Sequence, residues 1–372
     1  MRPLDREALL RALHPDGAVF AAWAAERGAA VDWSTVERRA TAHKVAALLA
    51  ARLAASGLDG GLDQRLRQRL DAARADAVRR GQAAERTLAA LGEAFGAAGV
   101  PFFIVKGSAL AHRVYGDPHL RRFADVDVVV RRADVDRAEA ALRAMAYRPG
   151  GFESILGLSL KPDDPRHARA VTLVRGFEGR ELAAYTWYAP SAELLSVDLH
   201  WHVSPWRLRV GEEAVWAATE PLAIGGTTAR TLAPPATLIH LVAHATTSLF
   251  NGFRLLHLCD VAWAARRFAD QADDVWRLAR EWRVAGHLAR VFRMVERALG
   301  VDLPLAAGAP PAGARPGFAT VADAAFLVDA TELKSRPALQ RLRSELLWAV
   351  AMGCLRRNVN VVADVSITRA LF

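Results

Sequence analysis

Residues 102–130 read FFIVKGSALAHRVYGDPHLRRFADVDVVV, a pattern that predicts a strand, a tight turn, a helix, a loop and a second strand. The apolar, β-rich run at 102–105 stops at Lys-Gly-Ser, residues 106–108. Apolar residues then recur at helical spacing until Gly-Asp-Pro at 116–118 ends the helix. From Asp125 to Val130 the residues alternate as expected for a second strand.

Two aspartates of the second strand have a spacing that suits metal chemistry. Asp125 and Asp127 are two residues apart, so their side chains project from one face with Cα atoms roughly 6.5–7 Å apart. Carboxylates this close repel each other unless a cation lies between them. Two divalent metals are the usual arrangement where a phosphoryl or nucleotidyl group is transferred. The simpler alternative is the solvated face of an edge strand.

The turn before the helix has the features of an anion site. Gly107 lets the backbone approach a bulky anion, and the helix beginning near Ser108 turns its positive end toward it. Ser108 could equally be an ordinary helix N-cap. Lys106 is more informative, because only four of the 49 basic residues are lysines. Turn and aspartates together predict a site for a triphosphate and metal ions.

The stretch also resembles a known family. The order of the motif residues is similar to that of a bacterial family of uncharacterised nucleotidyltransferases in the DNA polymerase β-type superfamily; they are Lys106–Leu110, Tyr115, Asp117-Pro118, Leu120-Arg121 and Asp125–Asp127. The resemblance implies that the Gly-Ser turn holds the nucleotide phosphates and that Asp125 and Asp127 bind magnesium. We expect Lys106 to help hold the phosphates, together with Arg121, whose planar donors suit phosphate oxygens. The sequence departs from these patterns in two places. The gap from Ser108 to Asp125 is longer than in the shortest form of the superfamily's motif, and Arg122 stands where the bacterial family usually has proline.

A later strand supplies a third carboxylate. Residues 195–203 alternate so that Asp198, His200 and His202 share one face. Beside the first two aspartates, Asp198 would be the third metal ligand or the base that accepts a proton from the attacking hydroxyl. Asp-Leu-His-Trp at 198–201 is similar to the family's His-Trp element. His200 is a candidate substrate-binding residue, or it satisfies local hydrogen bonds.

A second candidate substrate-binding residue lies in the helical region that follows. His240 and His244 are four apart and share a helix face, but the glutamate of a zinc protease motif is absent, since position 241 is leucine. We therefore favour packing or an acceptor pocket for His244. This block, including Leu258-Cys259-Asp260, is also similar to the family, and the resemblance covers about residues 90–305.

The predicted fold is α/β (α+β), a small mixed-sheet core with helices on one side, flanked by helical segments. Its regions are 1–98 (helical), 99–232 (catalytic core) and 233–372 (helical). A capping box at Ser34–Glu37 predicts a helix from Ser34 through Leu53, and a helix or kinked pair should cover 63–98. Further elements are a helix at 134–146 capped by Asp134, strands at 170–175 and 183–188, and helices at 320–329 and 337–356.

Composition sets the remaining limits. A net charge of +9 and a pI near 10.3 suggest an anionic partner. Cys259 and Cys354 lack metal-ligand spacing, which predicts reduced thiols and a cytoplasmic protein. The N-terminus lacks signal-peptide features, and the apolar run at 346–355 is too short to span a bilayer.

These features predict a transferase that uses two Mg²⁺ ions, with Mn²⁺ as a substitute, and a nucleoside triphosphate such as ATP. A small molecule or a protein is the favoured acceptor. RNA is least favoured, because there is no recognisable RNA-binding module. The alternative is a non-catalytic nucleotide-binding or partner-binding protein on the same fold. A second alternative is a helical scaffold in which Asp-Val-Asp is a surface strand.

Overall fold

A computed structural model describes residues 1–150, 152–153, 159–160, 165, 185–201, 203, 210–251 and 254–308. Several predictions lie outside these residues: the strand at 170–175, His202, Cys354, both helices beyond 309 and most of the loop at 150–169. None of the helices in the described ranges combines the length and the hydropathy that crossing a membrane requires.

The described residues form two compact units, each assembled from separate parts of the sequence. The helical unit contains Met1–Arg79, Leu110–Arg122 and, among the described residues, those from His244 to Gly308. The sheet unit contains Arg80–Ala109 and Phe123–Ala243. The three-region division of the sequence remains a prediction about which segments fold independently.

The sheet unit is built on a mixed sheet that has seven strands in the described part of the chain, in the order β3-β6-β7-β2-β1-β9-β8. Neighbours are antiparallel except for the parallel pairs β2–β7 and β1–β9. The strands are β1 Phe102–Val105, β2 Asp125–Val130, β3 Arg148–Pro149, β6 Tyr185–Tyr188, β7 Ser196–His200, β8 Thr219–Ile224 and β9 Thr227–Leu232. A separate pair consists of β4 Phe152–Glu153 and β5 Ser159–Leu160. The predicted mixed sheet is confirmed.

Strand β2 lies inside the sheet, between β1 and β7. Its valines are buried on both faces, with Val126, Val128 and Val130 fully buried and Val129 only 2% exposed. A strand covered on both faces favours continuous apolar residues rather than strict alternation. The interpretation of Asp-Val-Asp as part of an edge or surface strand is therefore wrong.

Along the described sequence, helices precede and follow the strands of this sheet, as expected. They are α1 Pro3–Ala12, α2 Gly17–Arg27, α3 Trp33–Ala42, α4 Ala46–Ala55, α5 Gln64–Ala97, α6 Gly107–Arg113, α7 Val135–Ala144, α8 Glu212–Ala217, α9 Pro234–Asn251, α10 Leu255–Arg267, α11 Ala272–Glu281 and α12 Ala285–Leu299. In the helical unit, the indole of Trp263 donates to the carbonyl of Leu13 over 3.1 Å and stacks on Tyr115.

The predicted capping box at Ser34 is wrong by two residues. Helix α3 begins at Trp33, and its cap is Asp32, whose carboxylate accepts from the backbone N–H of Thr35 over 3.1 Å. The helix also does not continue through Leu53. The helix ends at Ala42. Lys44 has a φ of +59°, which is incompatible with a continuous α-helix, and α4 begins after it.

One other local prediction is wrong, and one hairpin was not predicted. Asp134 precedes α7, but its side chain makes no capping hydrogen bond there and instead pairs with Arg137. The hairpin β8–β9 was not predicted, although its strands are joined by Gly225-Gly226, a two-glycine sequence typical of hairpin turns. Gly225 has a φ of +56°, which glycine adopts without steric cost.

A candidate metal and nucleotide site in the sheet unit

Strand pairing brings together the chemical groups of β1, β2 and β7. In the parallel pair β2–β7, Asp127 is the register partner of Asp198, and Asp125 is the partner of Ser196. In the antiparallel pair β1–β2, Asp127 is opposite Val105, so Lys106 follows directly at the end of β1. Side chains at paired positions lie on the same face of a sheet, which places these polar groups close together.

Asp127 is the centre of this group and is only 6% exposed. Its Oδ1 accepts a hydrogen bond from Lys106 Nζ over 2.7 Å. The same oxygen lies 3.1 Å from His200 Nε2. An ionised carboxylate can only accept, so this imidazole nitrogen carries a proton in the contact.

Burial and charge act against each other on these groups. Burial would raise the pKa of Asp127, but the charge of Lys106 and the hydrogen bond from His200 hold it well below its ordinary value. Burial would lower the pKa of Lys106, yet Asp127, with Asp198 and Asp125, raises it. Burial lowers the pKa of His200, which keeps the imidazole neutral near pH 7.

Asp198 has the opposite electrostatic environment. Burial, followed by the negative charges of Asp127 and Asp125, raises its pKa to about 7. The hydroxyl of Thr186 on β6 donates to Asp198 Oδ1 over 2.7 Å and partly offsets this effect. A carboxyl with a pKa near neutrality can exchange protons at physiological pH.

Three of these side chains could share one metal ion. One potential ligand atom each of Asp127, Asp198 and His200 lies within 4.8 Å of the other two. The sequence pattern predicted that His200 binds substrate or satisfies local hydrogen bonds, and it did not predict a place for His200 among potential metal ligands. The available signal was the two-residue spacing of Asp198 and His200 on one strand, which puts both on the same face. Asp125 lies two residues before Asp127 on that face of β2, at the start of the strand.

The turn between β1 and α6 has an unusual backbone. Lys106 has a φ of +52°, in the left-handed region that non-glycine residues rarely adopt. At Gly107 a Cβ would lie 3.2 Å from the Cβ of Phe123 and 3.4 Å from the carbonyl oxygen of Asp125. Ser108 is buried at the start of α6. The turn therefore packs closely against the residues that lead into β2, and glycine suits this close approach.

Arg121 and His244 belong to the helical unit. The Arg121 guanidinium is buried and donates twice to Asp260, over 2.7 Å in each bond. The hydroxyl of Tyr115 donates to the same carboxylate over 2.8 Å. Two N–H groups of Arg121 that were expected to contact phosphate therefore donate to Asp260 instead. The nucleotide-binding role of Arg121 stays a prediction. His244 packs edge-on against His257, and its substrate role also stays a prediction.

Comparison with known proteins shows the family of the chain. A search of curated proteins and a search of solved structures found no match to this chain. The sequence model of a family described as uncharacterised nucleotidyltransferase matches residues 29–300. The match includes β1, β2 and β7 together with the surrounding helices. It extends over most of the 372 residues, and the chain therefore belongs to this nucleotidyltransferase family.

Proposed function

We propose that this protein transfers a nucleoside monophosphate from a nucleoside triphosphate to an acceptor and releases pyrophosphate. The observation that carries the proposal is the register of β2 with β7, which pairs Asp127 with Asp198 beside the turn that begins at Lys106. Membership of a nucleotidyltransferase family supports the same reaction class.

The residues fit a divalent cation. Asp125, Asp127 and Asp198 offer carboxylate oxygens, which Mg²⁺ and Mn²⁺ accept as ligands. Lys106 contacts Asp127 and feels the charges of Asp198 and Asp125 as well, so these described side chains pair one ammonium with three carboxyl groups. We assign two ions, Mg²⁺ or Mn²⁺, to this group. Such ions neutralise phosphate charge and activate the attacking oxygen when they are bound.

The protein's own residues then have distinct roles. Lys106, Gly107 and Ser108 hold the phosphates of the donor nucleotide. Asp198 binds a metal ion and accepts the proton of the acceptor group, as a carboxylate next to the attacking atom can. The acceptor oxygen or nitrogen forms a bond to the α-phosphorus in line with the bond to pyrophosphate, which breaks. Positioning and charge neutralisation supply most of the rate.

A small molecule or a protein is the acceptor we favour. The alternative function is a non-catalytic protein that binds a nucleotide or a partner through the same residues. The two functions differ in one observable, since only the enzyme releases pyrophosphate. A nucleotide-dependent thermal shift without pyrophosphate release, tested with a panel of acceptors, favours the alternative.

The test is a thermal-shift measurement with ATP, GTP, CTP and UTP in turn, with and without Mg²⁺ or Mn²⁺. We expect one triphosphate to raise the melting temperature of the wild type only when a metal is present. The double variant Asp125→Asn/Asp127→Asn should lose this shift. A matched control is Asp134→Asn, which changes another buried aspartate of the sheet unit that pairs with Arg137.

Two results would contradict the proposal. One is a metal-dependent shift that persists in the double variant, because the nucleotide would then bind elsewhere. The other is the absence of any shift or pyrophosphate release with all four triphosphates. Loss of the shift in both the double variant and Asp134→Asn would indicate a general loss of stability, which circular dichroism of each variant would reveal.

A further inference from the structure

The donor atoms around Asp127 are chemically mixed. Asp127 and Asp198 offer hard carboxylate oxygens, whereas His200 offers an imidazole nitrogen of intermediate softness. His200 is on the same strand and the same face as Asp198, and only 3% of it is exposed. A side chain buried in this way cannot satisfy its ring nitrogens with bulk water, as a surface histidine would.

We propose that Asp127, Asp198 and His200 together bind one divalent cation, and that His200 makes this position select a first-row transition-metal ion such as Mn²⁺ over Mg²⁺. The inference rests on the proposed function, because it specifies one of the cations of that site. It adds a nitrogen ligand to the carboxylates and with it a metal preference.

The preference follows from ligand chemistry. Mg²⁺ binds oxygen ligands and water almost exclusively, so an imidazole at one position contributes little to its affinity. Mn²⁺ accepts carboxylate oxygens as readily as Mg²⁺ and also binds imidazole nitrogen. The affinity of a mixed nitrogen and oxygen site also rises from Mn²⁺ to Co²⁺. The order we expect for the wild type is therefore Co²⁺ above Mn²⁺ above Mg²⁺.

Metal binding requires one change within the site. The Nε2 proton that is donated to Asp127 must move to Nδ1, so that Nε2 presents a lone pair. The contact between His200 and Asp127 is thus exchanged for a shared cation. Lys106, which donates to the same Asp127 oxygen, also becomes available for another anion, such as the phosphates of a nucleotide.

The decisive measurement uses the wild-type protein loaded with Mn²⁺ alone, without nucleotide. Electron spin echo envelope modulation detects the coupling of ¹⁴N directly bound to Mn²⁺. We expect this coupling in the wild type and its loss in His200→Gln. It should persist in His240→Gln, a matched control that changes another buried histidine of the sheet unit. Absence of the coupling in Mn²⁺-loaded wild type overturns the proposal, and this reading does not depend on any variant folding.

Affinities measured by calorimetry with each metal alone give the second test. His200→Gln should weaken Mn²⁺ binding by about tenfold or more and leave Mg²⁺ binding nearly unchanged. His200→Glu replaces the nitrogen by a third oxygen ligand, so the ratio of Mn²⁺ to Mg²⁺ affinity should fall by about tenfold although both ions still bind. An equal ratio in the wild type and in His200→Glu overturns the selectivity.

The outcomes separate this inference from the proposed function. Pyrophosphate release with Mg²⁺ or Mn²⁺, combined with no ¹⁴N coupling, leaves the enzyme in place and rejects His200 as a ligand. A ¹⁴N coupling without pyrophosphate release supports the metal position and rejects the reaction. If the wild type binds none of the three metals, the metal position is rejected directly.

Discussion

At the scale of single residues, Lys106 combines a strained backbone with a buried charge. Its left-handed φ of +52° costs a non-glycine residue about 1 kcal/mol. Its ammonium lies 2.7 Å from a carboxylate oxygen of Asp127, and both side chains are largely buried. A strained residue at a cluster of functional groups is a common feature of active sites.

We expect Lys106→Met to lower the free energy of unfolding in EDTA by about 3 kcal/mol, because Asp127 would keep its burial and lose its cation. Added Mn²⁺ should recover part of this loss, since a metal ion can replace the missing charge. Urea unfolding near neutral pH, with and without Mn²⁺, measures both effects.

Lys44→Met is a matched control for this change. Lys44 also has a left-handed φ, of +59°, but it belongs to the helical unit. Its replacement should have a smaller effect on unfolding and no effect on the response to Mn²⁺. A similar recovery by Mn²⁺ in both variants would contradict the role given to Lys106.

His240 provides a prediction about pH. Burial, together with the nearby charge of Lys106, lowers its pKa to about 3 despite the opposing charge of Asp127. The unfolded chain therefore binds more protons than the folded protein between about pH 3 and pH 6.5. The stability due to neutral His240 is complete above the unfolded pKa and is lost as the pH falls through this range.

We expect His240→Gln to flatten the pH dependence of stability between about pH 6.5 and pH 4, by up to about 1.4 kcal/mol per pH unit. Urea midpoints of the wild type and the variant across this range give the comparison. If the two proteins lose stability in parallel on acidification, His240 does not titrate as described.

At the scale of elements, the position of Asp198 depends on its two neighbouring strands. The parallel partner β2 sets its register with Asp127, and the antiparallel partner β6 supplies the hydroxyl of Thr186. Thr186 is itself the register partner of Asp198, so the hydrogen bond runs across the sheet between paired positions. This hydrogen bond orients Asp198 through its Oδ1 atom and leaves Oδ2 available to bind a metal ion.

Thr186→Val keeps the shape of the side chain and removes this donor. We expect Mn²⁺ affinity to fall about tenfold, because groups that orient a metal ligand typically contribute this much. The control is Thr231→Val, which removes a buried hydroxyl of the same sheet that donates to the carbonyl of Ile104. Calorimetry should show normal Mn²⁺ affinity in the control, and equal losses in both variants would contradict this role of Thr186.

The elements that sequence reasoning identified are those with strong local signals. The strand β1, the turn at Lys106 and the strand β2 follow from apolar runs interrupted by glycine and charge. The strand β8 was missed because Pro221 and Glu220 interrupt its pattern, although its burial does alternate along part of its length. The break between α3 and α4 depends on one left-handed residue, Lys44, whose type gives no warning of that conformation.

Across the described chain as a whole, contacts between residues far apart in the sequence leave no trace in local pattern. Arg121 and Asp260 form a buried ion pair across 139 residues, and periodicity contains no information about such a partner. For the same reason, the residue type and sequence neighbours of Arg121 suggested a contact with phosphate and gave no sign of its partner Asp260. The pairing of Asp198 with Asp127 is also long-range, and the family resemblance suggested it where local pattern could not.

The net charge of +9 does not by itself indicate a surface that binds nucleic acid, because the arginines are spread along the chain instead of forming one block. Several arginines pair with carboxylates, including Arg69 with Glu37, Arg122 with Asp76 and Arg131 with Glu213. We expect single-stranded RNA in excess to leave the triphosphate-dependent thermal shift unchanged. Filter binding across a salt series tests this, and a steep salt dependence with competition against the nucleotide would restore RNA as the acceptor.

The separations between the residues that contact Asp127 also impose an order of assembly on the chain. Lys106 lies 21 residues before Asp127, whereas His200 lies 73 residues after it. Short loops close faster and at lower entropic cost than long ones. During synthesis the lysine is already present when Asp127 emerges, and the histidine and Asp198 follow much later. The ammonium is therefore the partner that Asp127 can meet first, and the imidazole can join it only after the later strand has been made.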